Sequence, residues 1–399
     1  MHAPGNAPIF AVYYTTLAAF GLPANMVTIV ILSQGRCGLS KCITRYLVFM
    51  AVTDLLVILA AVILTRLRPI YFPLSFLATN PACSVVIAVS WACKDTSVWL
   101  TVAFTFDRFI AICCQRLKHG YCTEKTAAAV IGVICALVCF KNIPLYFVYE
   151  PVYIIDKVPW YCSIKEIYYT STSWRVYDWL HRILNPCLPF LLILLLNALT
   201  VRHILAASGA RKRLRAQSNG DNQRDPEMES RRKSIILLFA ISGSFLLLRL
   251  TFVVNFLFVQ FSSNNYANSS NSTDPRFILQ ESGYMLELLS SCTNSCIYAG
   301  TQTKFREQLK NAVTYPFNLI KKIKPAPSSN VAPTSRLLPP AQAPAAGSVD
   351  PGGAGQIIIK MNDFITYNVM SNVWLHVPSP RPSPVGYVST YVMLYTSSR

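Results

Sequence analysis

The sequence predicts an all-α membrane protein: a seven-transmembrane helix bundle with a short amphipathic eighth helix and a disordered C-terminal tail. Three observations predict it. Apolar residues make up 53% of the 399 positions and charged residues only 14%, against roughly 25% charged in soluble proteins. Apolar runs of about 20 residues, the length that crosses a bilayer, recur seven times. The basic surplus, 36 Lys and Arg against 18 Asp and Glu for a net charge of +18, gathers in alternate connections between the runs. Hydrophobicity this high excludes wholesale disorder. A nucleic-acid binder is excluded because the basic residues lie beside the runs, not in a folded basic domain.

The runs are Ile9–Leu32, Ile43–Thr65, Pro81–Cys114, Thr126–Tyr146, Tyr177–Ala206, Ser234–Phe261 and Ile278–Gly300. Stretches such as Phe190–Leu196 are apolar on every side, which suits a lipid environment. The ten-residue alternation of a membrane β-barrel is absent from the sequence. The expected organisation is a short extracellular N-terminus (1–8), the seven-span domain (9–300), a juxtamembrane amphipathic helix (301–317) and a cytoplasmic tail (318–399).

Lys and Arg in short loops set orientation. No basic residue precedes Arg36, while the loops after spans one, three and five carry Arg36, Lys41 and Arg45, then Arg116, Lys118 and Lys125, then a run from Arg202 to Lys233. The N-terminus is therefore expected outside and the C-terminus inside. Two glycosylation sequons, at Asn268 and Asn271, fall between spans six and seven, on the expected outside. Cys83, opening span three, and Cys162, after span four, also lie outside, where disulfides persist, and are paired on that basis. Cys113-Cys114 reads as free thiols, with zinc or palmitoyl attachment as the alternative. The first span is expected to act as its own membrane signal.

From Pro325 to Gly355 the chain is rich in Pro, Ala, Gly and Ser and reads as disordered. Residues 356–377 are oddly apolar yet too polar and broken to span, and read either as a docking segment or as an artefact of the gene model. No catalytic triad, metal cluster or phosphate loop is present in the sequence, and His119, His181 and His203 are scattered at span ends. The chain is expected to be neither an enzyme nor the holder of a resident cofactor.

Residues inside the spans narrow the class. Span one holds Gly21-Leu-Pro-Ala-Asn25, span two Ala51-Val-Thr-Asp54-Leu, and span three ends Asp107-Arg108-Phe109 with Cys83 twenty-five residues before Arg108. Span five has Pro189 and Asn197, and span seven Asn294-Ser-Cys-Ile-Tyr298 followed by Phe305-Arg306. This ordered set, over residues 9–316, resembles the rhodopsin-like (class A) G-protein-coupled receptors. Within it, Gly21–Gln34 and Ser97–Cys113 resemble the orphan branch proposed to respond to tryptophan and phenylalanine, a branch linked to Gq signalling. The resemblance implies a plasma-membrane receptor with an extracellular small-molecule or peptide ligand, a heterotrimeric G protein as partner, arrestin at the tail and membrane lipid along the eighth helix. It also implies coupling roles for Asp107, Arg108, Asn197 and Tyr298, and a sodium pocket or polar network at Asp54 with Asn25, Ser97 and Asn294. Asn25 is expected to bond across to Asp54.

Mid-membrane charge is the unusual feature, because a carboxylate at that depth costs on the order of 3 kcal/mol. Lys94 lies four residues after Ser90 and three before Ser97, so the three share a helical face. Asp95 adjoins it, Glu287 lies one heptad before Asn294, and Arg249 is deep in span six. These groups either pair with each other or hold the two ends of a zwitterion. In the second reading Lys94 or Arg249 takes a carboxylate and Glu287 or Asp95 an ammonium, with Ser90 and Trp91 alongside. Trp91, Trp174, Tyr177 and Trp179 then form an aromatic rim.

The chain also departs from the family. Arg249 stands where span six usually has Trp, Thr251 where it has Pro, and Ser295 where span seven has Pro; span four lacks its usual Trp. Arg249 would then be a built-in cation for Asp54 in place of sodium. Two rival readings follow: a signalling-impaired protein that traps ligand or heterodimerises, and a transporter. The transporter predicts internal repeats, which the sequence lacks.

Overall fold

A computed structural model describes residues 7–217, 226–261 and 274–323, all within one compact unit of residues 1–326. Asn268, Asn271 and the chain from residue 324 onward lie outside the described residues.

The described chain is almost entirely helical. Helix α1 (Ala7–Ser33) runs through Pro23. Helix α2 starts at Lys41, where the Ser40 side chain accepts the Ile43 N–H at 3.4 Å, as an N-cap does. It passes from α-helix (Lys41–Val57) into a π-helical stretch (Ile58–Leu67) and a last turn, Arg68–Tyr71. Within that stretch Thr65 Oγ1 donates to Ala60 O, five residues back, at 2.7 Å. Helix α3 (Asn80–Cys113) has Pro81 at its first turn, where the missing N–H costs nothing. A short helix, Gln115–Tyr121, leads to α4 (Glu124–Asn142), capped by Thr123.

Helix α5 comprises Thr172–Arg182, a π turn at Ile183–Cys187 and Leu188–Gln217. Pro186 lies in the π turn, where its lack of an N–H breaks the α ladder. Helix α6 is Pro226–Phe261 and α7 is Pro275–Thr301, capped by Asp274. Helix α8, Thr303–Ile323, continues beyond the residue 317 expected from the sequence.

Among the described residues, six helices are long and apolar enough to cross a membrane by composition. The seventh, α7, has the length but carries Arg276, Glu281 and Glu287. Its inner residues pack against α6, α1 and α2. Large apolar side chains on α4, α5 and α6, such as Phe140, Leu191 and Leu247, face outward, as a lipid-facing surface requires.

The loop after α4 folds into four short strands. These are β1 (Tyr149–Glu150), β2 (Tyr153–Ile155), β3 (Val158–Trp160) and β4 (Ser163–Ile164). β2 pairs antiparallel with β3 and β1 with β4. Asp156 and Lys157 turn the inner hairpin with φ of 50° and 63°. Cys162 forms a disulfide with Cys83, Cα to Cα 6.3 Å, and Tyr161 N–H donates to Ala78 O at 2.7 Å. The hairpin is thus tied to the start of α3.

The apolar core falls into three clusters. One, toward the end of the bundle that holds Arg108, includes Tyr46, Leu47, Leu100, Phe104, Leu238 and Tyr298. Another joins α1, α2 and α7 through Tyr14, Ile58 and Leu288. A small one joins α3, α5 and α6 through Val98, Ile193 and Phe245. The buried polar residues lie between them.

Candidate functional site

The mid-membrane charges do not form one constellation; the bundle sorts them into separate groups. The central one is a triad across α3, α6 and α7. Glu287 receives Arg249 Nη1 on Oε1 at 3.1 Å and has Lys94 Nζ 3.8 Å from Oε2. The Glu287 side chain is 1% exposed. Lys94 Nζ also lies 3.5 Å from the Trp91 ring centroid, a cation–π contact. Arg249 stacks on Phe245 one turn below, 5.0 Å from its centroid. Ser90 is buried one turn above Lys94 on α3. Glu287 Oε2 and Arg249 Nε are buried with no hydrogen-bond partner among the described residues. A desolvated acceptor and a desolvated donor side by side are costly to leave unmade.

Asp95 does not join this triad. Its Oδ2 accepts from Asn142 Nδ2 at 2.8 Å and pairs with Lys141 Nζ at 2.6 Å, with His181 Nε2 at 3.9 Å. Successive helix residues point about 100° apart; Lys94 therefore faces α7 and Asp95 faces α4 and α5. This corrects the expectation that Asp95 and Glu287 are interchangeable partners for one ligand. Lys141 and Asn142 were not singled out in the sequence, although they sit inside the fourth apolar run, and His181 was noted only as one of three histidines scattered at span ends. Trp91 and Tyr177 close round His181, with ring centroids at 5.3 and 5.9 Å. Trp174 meets Tyr177 at 5.7 Å. Trp179 is 55% exposed and belongs to no rim.

A third group, also missed, joins Arg66 of α2 to Glu281 of α7 at 3.5 Å. The Arg66 guanidinium carbon lies 5.6 Å from the Tyr14 ring centroid and 5.3 Å from that of Tyr284. Glu281 was detectable as a carboxylate within an apolar run.

Asp54 is fully buried. Ser97 Oγ donates to its Oδ1 at 2.8 Å and Asn294 Nδ2 to its Oδ2 at 2.7 Å. The Asp54 carboxylate and Ser97 hydroxyl are adjacent hard oxygen donors, which suit a small hard cation. Asn25 does not bond to Asp54, against expectation. Its Nδ2 reaches Gly21 O and Ser291 O, at 3.0 and 2.9 Å, and its Oδ1 accepts from Ser295 at 3.3 Å. Thr28 Oγ1 donates to Ser295 Oγ at 2.9 Å. Ser295, standing where Pro is usual, therefore ties α7 to α1. Arg249 is committed to Glu287 and makes no ion pair with Asp54 among the described residues.

At the end of the bundle opposite the disulfide, Arg108 Nε donates to Asp107 Oδ2 at 2.9 Å, a second guanidinium nitrogen pairs with the same oxygen, and Nη1 reaches Ser234 of α6 at 3.4 Å. Cys42 donates to Asp107 Oδ1 at 3.1 Å and Cys122 to Asp107 O at 3.7 Å. Burial and Asp107 push the Cys122 thiol up to about 11, so it keeps its proton near neutrality and donates. Asn197 exchanges hydrogen bonds with Ser242 of α6, at 2.9 and 3.1 Å. Tyr298 is buried against Phe305, ring centroids 6.1 Å apart. Arg108, the turn at 37–40, the short helix after α3 and the starts of α6 and α8 enclose a cavity of about 610 Å³.

A helical bundle of membrane-spanning length, with paired charge in its interior and an Asp–Arg pair at one end, defines a multi-pass membrane protein of receptor type. The profile of the 7 transmembrane receptor (rhodopsin family) matches residues 24–298, and the chain belongs to that family. The sex peptide receptor of Drosophila melanogaster is 23% identical over 237 residues, 55% of this chain and 52% of that protein. The FMRFamide receptor of the same organism is 23% identical over 223 residues, 52% of this chain and 39% of that protein. G-protein coupled receptor 39 of Bos taurus is 28% identical over 151 residues, 37% and 33%. The chain thus spans from a third to about half the length of these relatives.

Proposed function

We propose that the chain is a plasma-membrane receptor, N-terminus extracellular and C-terminus cytoplasmic, that binds an extracellular short peptide or small molecule and activates a heterotrimeric G protein. The observation that carries the ligand site is Glu287. It holds two cations, yet its Oε2 and the neighbouring Arg249 Nε lack hydrogen-bond partners among the described residues. A ligand with an N–H donor and an oxygen acceptor a few ångströms apart completes both. An amino acid or a peptide backbone and terminus has that pattern. Ser90 and Trp91 line the approach on α3. Two relatives named for peptides favour a peptide over a free aromatic amino acid.

Inside, the Asp107–Arg108 pair and Ser234 hold the resting state, and Arg108, Asn197 and Tyr298 rearrange when the G protein enters; Gq is the coupling the resemblance favours. Na+ at Asp54, with Ser97 and Asn294, is proposed as a resting-state ion. Helix α8 is assigned to the inner lipid surface, where an amphipathic helix is stable, and the tail to arrestin.

The test is a calcium and cAMP assay in transfected cells against the twenty amino acids and a panel of short amidated peptides. Lys94→Met abolishes the response to an active compound while surface expression holds; an unchanged dose–response removes the triad from the ligand site. The second reading, a signalling-impaired ligand trap or heterodimer partner, is favoured by Arg249 and Thr251 in α6. It predicts silence in both readouts together with saturable ligand binding at the surface.

A further inference from the structure

We infer that the cavity at the inner end of the bundle is a binding site for a phosphate-bearing anion. Its lining contains Arg108, Lys118, Lys233, Lys304 and His119 and, among the described residues, no acidic one. Asp107, outside the lining, is bonded to Arg108, and its oxygens are taken by Arg108 and Cys42. Lys41 and Arg45, on the same side of the molecule, share Glu124 at 3.9 and 2.5 Å. Lys118 and Lys304 have no such partner among the described residues. Lys118 and Lys304 on one concavity repel each other, and an anion placed between them relieves the repulsion.

The wall also contains Thr303 and Lys304, the first turn of α8, whose end carries partial positive charge. The end of the Lys304 side chain lies over Gly38 at the α1–α2 turn, its Nζ 2.9 Å and its Cδ 3.1 Å from where a Cβ would stand. The wall also has apolar residues, Ile43, Ile112 and Leu237, beside the polar Ser40, Gln115, Ser234 and Gln302. Several lysines at different points of the wall suit a ligand carrying nearly two charges per group, as a phosphate monoester does near neutral pH. A single carboxylate satisfies only one of them. About 610 Å³ lies within the size range of ligand pockets and accommodates a polyphosphorylated ring. The source is either the headgroup of an inner-leaflet lipid or a soluble inositol phosphate. The assignment rests on this end facing the cytoplasm. The anion and the G protein would then compete for the same space.

The test uses the full chain purified into neutral-lipid nanodiscs, without G protein or outer ligand, so its failure is separable from failure to signal. Inositol trisphosphate is added, or phosphatidylinositol bisphosphate is included in the disc, and binding and the unfolding midpoint are measured. Saturable binding of the free trisphosphate supports the site with a soluble source; binding seen only with the lipid supports it with a lipid source. Lys118→Gln/Lys304→Gln should weaken either by at least about tenfold, since each lysine near an anionic headgroup contributes appreciably; Lys304→Arg should retain it. The unliganded midpoint of each variant reports that it folds, and Lys118→Gln alone serves if the pair does not. No saturable binding of either probe overturns the assignment. So does undiminished binding in the variants, or an equal effect of phosphatidylserine, which would be surface attraction alone.

Discussion

Glu287 and Asp95 show how buried carboxylates at similar depth in one bundle take different work. Each keeps one oxygen without a hydrogen bond among the described residues, Glu287 Oε2 and Asp95 Oδ1; the partners differ, Glu287 facing Arg249 and Lys94 and Asp95 Oδ2 being engaged by Asn142 and Lys141. Removing one member of a buried pair leaves a desolvated charge and costs about 3–5 kcal/mol. Asp95→Asn should therefore lower thermal stability by that order, through the stranded Lys141, and leave the dose–response midpoint of the surviving receptor where it was. A shifted midpoint at unchanged stability would return Asp95 to the ligand site. The pairing of Asp95 was hard to read from sequence because adjacency along the chain resembles proximity, whereas a helix sends neighbours to different partners. Lys94 with Ser90 and Ser97 was legible because spacings of three and four fix a common face. What such spacing does not give is the partner on another helix: Arg66 with Glu281, or Ser295 with Asn25 and Thr28.

Among elements, the close approaches are carried by glycines whose surroundings differ sharply. A Cβ at Gly21 in α1 would lie 2.5 Å from both Cys292 Sγ and Ile58 Cδ1, and one at Gly283 in α7 would lie 3.2 Å from Phe252 Cα. The second neighbour is backbone, so α6 and α7 must separate to admit it. Gly132 in α4 has nothing within 4 Å of its Cβ position. Overpacking costs typically 1–3 kcal/mol, while Gly to Ala in an open helix gains about 0.5–1 kcal/mol. Gly283→Ala should lower the unfolding midpoint and Gly132→Ala should leave or raise it; equal effects at the two would mean that α6 and α7 are not in contact at this point. The helices themselves were legible, because an apolar run of membrane length has few other meanings. The strands after α4 were not. Their hairpin turns on Asp156-Lys157 without glycine or asparagine, so the usual turn signal is missing.

At the scale of the whole molecule, the net charge of +18 is a topological signal. Basic residues cluster at the α1–α2 turn, after α3 and at the start of α8, on the side of the bundle that holds Arg108, and none precedes Arg36. Lys and Arg resist translocation far more than acidic residues do, which is the basis for proposing that this end stays in the cytoplasm and the disulfide end is exported. The disulfide agrees, since Cys83–Cys162 closes at the opposite end and persists only in an oxidising compartment. An epitope at the N-terminus should therefore be stained on intact cells, and one at the C-terminus only after permeabilisation. Treatment with an N-glycan amidase should increase gel mobility in the wild type and have no effect in Asn268→Gln/Asn271→Gln. Staining of the C-terminal epitope on intact cells would invert the bundle. It would also place Lys94, Arg249 and Glu287 beyond the reach of an extracellular ligand and leave the basic cavity facing outward, so this measurement comes before any ligand screen.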